Sequence, residues 1–202
     1  MSDNGAQGNR RKPNNTPLFA GKGTLYEGGI RVPLVIVGPG VETGYCEQPV
    51  SGTDLFATFA AWAGVEVELQ ESEDLAPLFT GRQTEFSRRK ALFFHYPHYG
   101  KGVQTPQTAL VVGNWKLLRD WETGTDQLFD LKNDIGESRD VSAGNAERFE
   151  SMVESMEARL KETGAQLTTK NPNYDSNSDS NSGRGSGRGA GRGRGRGRSS
   201  GR

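Results

Sequence analysis

The sequence predicts an α/β chain in three parts: an α/β unit over residues 1–89, a small antiparallel sheet with one helix laid across it over 90–167, and a disordered tail over 168–202. Three observations carry this reading. The run VPLVIVGPG at 32–40 is continuously apolar, β-branched and closed by Gly-Pro-Gly, the pattern of a strand buried on both faces. Residues 90–131 alternate short apolar runs with turn signals, which reads as hairpins. From Thr169 onward the chain is Asn, Ser, Gly and Arg with almost nothing apolar, so it has no side chains from which to build a core.

Each element has its own warrant. Residues 5–17 are polar and rich in Pro and Asn, which makes them a loop. VSGTDLFATFAAWAG at 50–64 reads as a helix with Thr53 as N-cap, Asp54 in the first turn and Gly64 just past the end. Leu55, Phe56, Phe59 and Trp62 form its apolar face. Residues 65–90 are charged and irregular and read as a surface connection. KALFFHYP at 90–97 is a strand stopped by Pro97, and TALVVGNWKLLRD at 108–120 is two strands around a Gly113-Asn114 turn. DQLFDL at 126–131 is a further strand. The clearest helix is 145–164, with Phe149, Met152, Val153, Met156 and Leu160 on one face and Glu157 four residues before Lys161. Trp115, Trp121, Phe129 and Leu131 are expected in the core.

Charge divides the chain as sharply as hydropathy does. The 202 residues carry 25 basic and 25 acidic side chains, a formal net charge of zero. Eight of the basic and only two of the acidic residues lie in 169–202, so an acidic body precedes a basic tail. Cys46 is the one cysteine, which excludes an intramolecular disulfide and is expected to be inert. No apolar run approaches the ~20 residues of a membrane span. The residues after Met1 are polar, with no signal-peptide core. With Met1 as the true start the product is expected in the cytoplasm.

Chemistry concentrates at the beginning of the chain. Asp3 and Asn4 are two hard oxygen donors side by side, suited to Ca²⁺ or Mg²⁺, although Asp-Asn-Gly also makes an ordinary turn. Lys22 stands between Gly21 and Gly23, where the backbone can approach a ligand closely and a cation can neutralise an anionic oxygen. A solvated surface lysine is the plainer alternative. HYPHY at 95–99 holds the chain's two histidines. His95 and His98 either rim a substrate pocket or belong to a rigid strand end with packed rings. The Arg-Gly repeats suit a polyanion or RNA, but they lack interleaved aromatics and also fit a solubilising tail. A tether for sulfated polysaccharide is a third option.

Taken together, SDNG at 2–5 and PLFAGKGTLYEGGIRVPLVIVGPG at 17–40 closely resemble the second signature region of the formylglycine-dependent sulfatases, sulfuric ester hydrolases of alkaline-phosphatase-like fold. VSGTDLFATFAAWAG looks like that family's following helix. FFHYPHYG and GNWKLLRDWETGTDQLFDLKNDIGE look like its C-terminal subdomain, in bacterial arylsulfatase-like members above all. The resemblance covers about residues 2–162. It implies that Asp3 and Asn4 ligate an active-site calcium and that Lys22 holds the sulfate group, with Glu27 and Arg31 forming a structural ion pair in the YEGG-R turn. Phe19-Ala20 departs from the Arg-Gly or Arg-Cys often found before the Gly-Lys, and Ala57 replaces a frequent proline. Substrate contacts near Ala20 are the part this puts in question.

The resemblance also implies that the Cys/Ser-x-Pro-x-Arg segment that becomes formylglycine, and the first acidic metal ligands, lie before Met1. The chain is therefore expected to be the C-terminal piece of a sulfatase, inactive alone, completed by an N-terminal portion that is missing or separately encoded. Strand 32–37 should then lack the sheet that covers it. A full sulfatase would be periplasmic or secreted, acting on a sulfate ester such as a sulfated polysaccharide. A phosphoesterase of the same superfamily and a polyanion- or RNA-binding protein acting through its tail are the alternatives.

Overall fold

A computed structural model describes residues 1–6, 14–67, 71–88, 91–100 and 105–174. Its centre is a four-stranded antiparallel meander of β1 (Leu92–Tyr96), β2 (Gln107–Val112), β3 (Trp115–Asp120) and β4 (Thr125–Asp130), in that spatial order. Gly113, at φ +58°, makes the tight β2–β3 turn that the Gly113-Asn114 pair predicts. Register follows from that turn: Leu110 faces Leu117 and Leu117 faces Leu128, while Val111 faces Lys116 and Lys116 faces Phe129.

Because side chains alternate, this register sorts the sheet into two covered faces. On one, Leu110, Leu117 and Leu128 pack against Met152, Met156 and Leu160 of the long helix Ala146–Glu162. Phe149 and Val153 pack at the margin of this cluster. On the other, Ala109, Val111, Leu118 and Phe129 meet Ala20 and Tyr26 from the beginning of the chain. A sheet covered on both sides explains why Lys116, Leu117 and Leu118 are consecutively buried. Of the expected core residues, Phe129 and Leu131 are buried, whereas Trp115 and Trp121 are half-buried, Trp115 lying under the Arg148 guanidinium and Trp121 donating to Thr108 Oγ1 at 2.8 Å. Glu157 is drawn from its expected neighbour Lys161 to Arg119 of β3.

The first half of the chain is built differently. It contains three short helices, α1 (Glu27–Ile30), α2 (Asp54–Trp62) and α3 (Ala76–Phe79); the long C-terminal helix is α4. The predicted strand 32–37 runs extended but pairs with no strand among the described residues, and Val35 and Val37 are 75% and 90% exposed. A groove of about 900 Å³ lies between this run and the sheet, lined by residues including Leu34, Ile36, Tyr45, Leu78, Phe94 and Val111.

α2 forms where the sequence places it and ends at Gly64, φ +70°, but it is turned inside out. Phe56, Phe59 and Trp62 are exposed, while Asp54 and Thr58 are fully buried. The polar side wins the interior because it is fully partnered there. Asp54 accepts N–H bonds from Ser51 (2.6 Å) and Glu73 (2.9 Å) and pairs with Arg88, and the Thr58 hydroxyl accepts from Leu75 N–H at 3.0 Å. Thr53 makes no side-chain cap. The segment 65–90 is more than a surface connection: it carries α3 and the buried Leu75 and Leu78.

The C-terminal tail 168–202 is expected to be disordered. Residues 175–202 lie outside the described residues, but Thr168, Asn171 and Tyr174 belong to a segment tied to the end of β1. The Thr168 hydroxyl donates to Pro97 O at 3.0 Å and Asn171 N–H to the Tyr99 hydroxyl at 2.8 Å.

Candidate functional site

The glycine-rich beginning of the chain is a knot of backbone hydrogen bonds. Gly5 N–H donates to Gly29 O (2.9 Å), Lys22 N–H to Ala6 O (3.0 Å) and Gly28 N–H to Phe19 O (2.9 Å). These bonds require main chains to touch. A Cβ on Gly28 would lie 2.2 Å from Phe19 O, one on Gly29 2.1 Å from Thr24 O, and one on Gly5 1.8 Å from Gly28 O. The glycines are therefore steric necessities. Ala20, buried at φ +59°, stands in the same knot with a methyl group where glycine would be unstrained.

The knot brings Asp3 and Asn4 together with the Lys22 loop, although they are about twenty residues apart. Asp3, Asn4, Gly23, Thr24, Leu25, Gly29, Ile30, Phe94 and Tyr96 line a pocket of about 300 Å³. Lys22 is exposed beside it. Asn4 Nδ2 donates to Asp3 Oδ2 at 2.6 Å, which leaves Asp3 Oδ1 and Asn4 Oδ1 as the hard oxygens the two candidate metal ligands can offer. That donor chemistry fits Ca²⁺, but two residues supply only part of the roughly six to eight oxygens it takes. Among the described residues no group of three or more His, Cys, Asp or Glu side chains converges as a metal set.

The histidines divide from this site by strand parity. Phe94 and Tyr96 of β1 point into the pocket, so His95 points to the α4 side. There its Nδ1 meets Thr108 Oγ1 at 2.8 Å and its Nε2 meets Gln166 O at 2.9 Å. His95 is a clamp between β1, β2 and the segment after α4. His98 is exposed and lies edge-on to Tyr96, ring centroids 5.5 Å apart. The side chain of this stretch that lines the pocket is Tyr96, which alternation along β1 would have singled out.

Beneath the knot sits a buried ionic cluster that spacing did not reveal. Lys116, on the knot-facing side of β3, is 0% exposed; its Nζ lies 2.9 Å from Glu27 Oε1 and 2.8 Å from Glu137 Oε1. Glu137 Oε2 in turn accepts Glu27 N–H at 2.6 Å, and Arg31 reaches Glu27 Oε2 at 3.2 Å. The expected Glu27–Arg31 pair is thus the outer edge of a four-residue cluster. Burial pushes the Glu137 carboxyl above its ordinary range, and Lys116 opposes the shift without cancelling it. Leu25 N–H also donates to Gln107 Oε1 at 3.0 Å. The sheet therefore holds α1 and the Lys22 loop from below with polar side chains. Chemically, the pocket offers the carboxylate of Asp3 and the amide of Asn4, with the exposed Lys22 in the loop at its edge, a combination suited to binding an anion together with a cation.

This fold is that of the C-terminal part of a sulfatase, as comparison with known proteins shows. Residues 18–166 match the model of the family described as N-sulphoglucosamine sulphohydrolase, C-terminal, and the chain belongs to that family. A sulfatase of Formosa agariphila is 32% identical over 157 residues, covering 71% of this chain and 28% of that protein. Human arylsulfatase A is 40% identical over 96 residues, 45% of this chain and 18% of that one. The solved structure of Ps i-CgsB is 35% identical with a TM-score of 0.62, covering 77% of this chain and 34% of that one. The chain spans about a third or less of the length of these relatives.

Proposed function

We propose that this chain is the C-terminal part of a sulfuric ester hydrolase, contributing two calcium ligands, Asp3 and Asn4, and the sulfate-holding Lys22 to an active site shared with the N-terminal part of such an enzyme. The observation that supports the reading is the backbone knot through Gly5, Lys22 and Gly28, beside a pocket that Asp3, Asn4 and Gly23 of the Lys22 loop line. The unpaired run 32–37 and the outward apolar face of α2 support it as the surfaces on which the remaining part would sit. A phosphoesterase of the same superfamily is the second reading. The GKG and YEGG-R turns favour the first. A full enzyme of this kind would work in the periplasm or outside the cell. No helix among the described residues is long and apolar enough to cross a membrane.

Calcium and formylglycine, when bound, would supply charge neutralisation and the nucleophile. The residues of this chain do the rest. Asp3 and Asn4 present their oxygens on one side of the pocket. Lys22 brings a full positive charge to the sulfate oxygens, where it counts most as negative charge builds toward the leaving oxygen. Tyr96 and Phe94 give the opposite wall an aromatic surface, fitted to the organic part of the ester.

The test is substitution of Lys22 in the chain combined with an N-terminal sulfatase portion that restores hydrolysis of 4-nitrophenyl sulfate. Lys22→Ala should lower kcat by ~10²-fold or more, the scale of one preorganised donor, and Lys22→Arg should restore only part. Full activity in Lys22→Ala would refute the sulfate-holding role. A preference for 4-nitrophenyl phosphate would favour the second reading.

A further inference from the structure

The turn that carries Lys22 is held at both ends. Thr24 N–H and the Thr24 hydroxyl both donate to Gly21 O, at 3.2 and 2.9 Å, so residues 21–24 close on themselves with Lys22 and Gly23 at the tip. Gly21 and Gly23, the latter at φ +87°, leave the backbone there with more freedom than any other residue type would. The direction in which the turn presents Lys22 is therefore set by what holds its ends. The entry is tied to the beginning of the chain, Lys22 N–H donating to Ala6 O at 3.0 Å. The exit is tied to the sheet, Leu25 N–H donating to Gln107 Oε1 at 3.0 Å.

Gln107 opens β2 and is 2% exposed. In the register of the sheet it lies directly opposite Tyr96 of β1, and opposed residues of an antiparallel pair share a face. Its side chain stands beside Tyr96 and also reaches the loop. Gly23, Thr24 and Leu25 line one wall of the pocket, and Phe94 and Tyr96 line another, so one side chain of β2 links the two walls. The strand does not itself ask for an amide here. β-Branched and aromatic residues suit it better, and a buried amide is costly unless it is hydrogen-bonded. The buried ionic cluster does a different job: Glu137 takes Glu27 N–H, which fixes α1 rather than the turn before it.

We propose that Gln107 is a positioning residue for sulfate ester hydrolysis: through Leu25 it sets the pose of the Lys22 turn relative to the aromatic wall, and so the place of the ammonium that acts on the sulfate oxygens. The inference rests on the sulfatase reading for its reaction, although the bond between Leu25 and Gln107 does not. A residue of this kind acts on the chemical step. Without the bond, the organic part of the ester still lies against Phe94 and Tyr96. An ammonium displaced by ~1 Å, however, loses much of its effect on a charge that develops at one place. Loss of the bond should therefore lower kcat far more than it raises KM.

The experiment has two arms. In the full chain alone, Gln107→Met keeps the length of the side chain and removes the acceptor. Hydrogen exchange of the Leu25 amide should then accelerate ~10-fold relative to that of Gly28, the scale of one hydrogen bond, while the Leu117 amide reports that the sheet is intact. Gln107→Glu keeps an oxygen at the same reach and should retain most of the Leu25 protection. An unchanged Leu25 rate in Gln107→Met would overturn the inference at its root. The second arm combines the chain with an N-terminal sulfatase portion and uses 4-nitrophenyl sulfate. Gln107→Met should lower kcat by ~10- to 10²-fold with KM changed less than ~3-fold, and Gln107→Glu should restore part of kcat. In a Lys22→Ala background the same Gln107→Met change should cost less than ~3-fold, because its effect passes through a group already removed. An equal loss in both backgrounds would mean that Gln107 only supports the fold, and would overturn the positioning role. Full kcat in Gln107→Met beside an impaired Lys22→Ala would overturn it too, and would leave the hydrolase reading standing. Full activity in Lys22→Ala would instead bring down the sulfate-holding reading and the positioning role together.

Discussion

From Leu92 to Leu160 the apolar side chains point inward, and from Val32 to Val67 many of them point out. Leu117, Leu128 and Met156 are fully buried, whereas Val37 is 90% and Phe56 62% exposed. Both regions were read from equally good apolar patterns. The difference lies in what each pattern has to meet. β2, β3 and β4 are joined by short turns, so each finds its partner within a few residues, and α4 has the whole sheet face to lie on. The run 32–37 and the apolar face of α2 meet no such partner among the described residues. Periodicity reports which face of an element is apolar. It does not report whether the cover for that face is present, and here the polar face of α2 is buried because Asp54 and Thr58 find partners there.

The strongest break in this comparison should come where the two regions are joined. Lys116 belongs to the sheet and Glu27 to the knot, and they meet with both fully or nearly fully buried. Lys116→Met would leave Glu137 buried without a cation and Glu27 with only Arg31 at the outer edge of the cluster, a change of the class that costs ~3–5 kcal/mol. Chemical denaturation should show that loss. Hydrogen exchange should show it unevenly, with the Gly5, Lys22 and Gly28 amides losing protection before those of Leu117 and Leu118. Uniform loss over both sets would mean that the cluster stabilises the sheet rather than tying the knot to it.

A smaller effect tests the two apolar surfaces against each other. Leu117→Ala, in the covered sheet, should destabilise by ~2–5 kcal/mol. Phe56→Ser, on the outward face of α2, should change the stability of this chain by no more than ~0.5 kcal/mol. If Phe56→Ser costs as much as Leu117→Ala, the α2 face is covered after all. Should the chain be combined with an N-terminal sulfatase part, the same Phe56→Ser variant ought to weaken that association.

Legibility followed the same division. The β2–β3 hairpin, the span and buried face of α4, and the strand that stops before Pro97 are local patterns, and each stands where periodicity or turn chemistry puts it. The gathering of Asp3, Asn4 and Lys22 was readable only through the family resemblance, because backbone bonds among glycines leave no side-chain signature. His95 stood open between a pocket rim and a rigid strand end, and its parity, opposite to Phe94 and Tyr96, is what puts it on the other face with Thr108 and Gln166. Lys116 escaped notice because a lysine in a strand ordinarily marks a solvated face. Its neighbours Leu117 and Leu118 break strict alternation, and that was the available sign that both faces of β3 are covered. Gln107, Glu137 and Asp54 carried no sign of their role, since their partners lie tens of residues away or depend on backbone groups.

The smallest effect separates two carboxyls only three residues apart, Glu137 beneath the knot and Asp140 at the outer edge of β4. For Glu137, burial raises the carboxyl above its ordinary range against the pull of Lys116. Asp140 is affected by burial too, but N–H bonds from Ser142 (2.9 Å) and Leu128 (3.1 Å) and the Ser142 hydroxyl bring it below its ordinary range. The signs of linkage are therefore opposed. An acid raised in the folded state binds its proton more tightly there than in the unfolded chain. Its contribution to stability grows as pH falls through the raised value and levels off below the ordinary one. An acid lowered in the folded state contributes fully above its ordinary value, and that contribution is lost as pH falls through the lowered one. Mild acid should thus spare the Lys116 cluster, and stronger acid should loosen the Asp140 link between β4 and the turn before α4. Carboxyl carbon titration by NMR should place the Glu137 midpoint above that of an ordinary glutamate and the Asp140 midpoint below that of an ordinary aspartate. On acidification, exchange of the Leu128 amide should accelerate, relative to its intrinsic rate, before that of Glu27. The reverse order would mean that the knot, and not the sheet–helix joint, is the acid-sensitive half of the molecule.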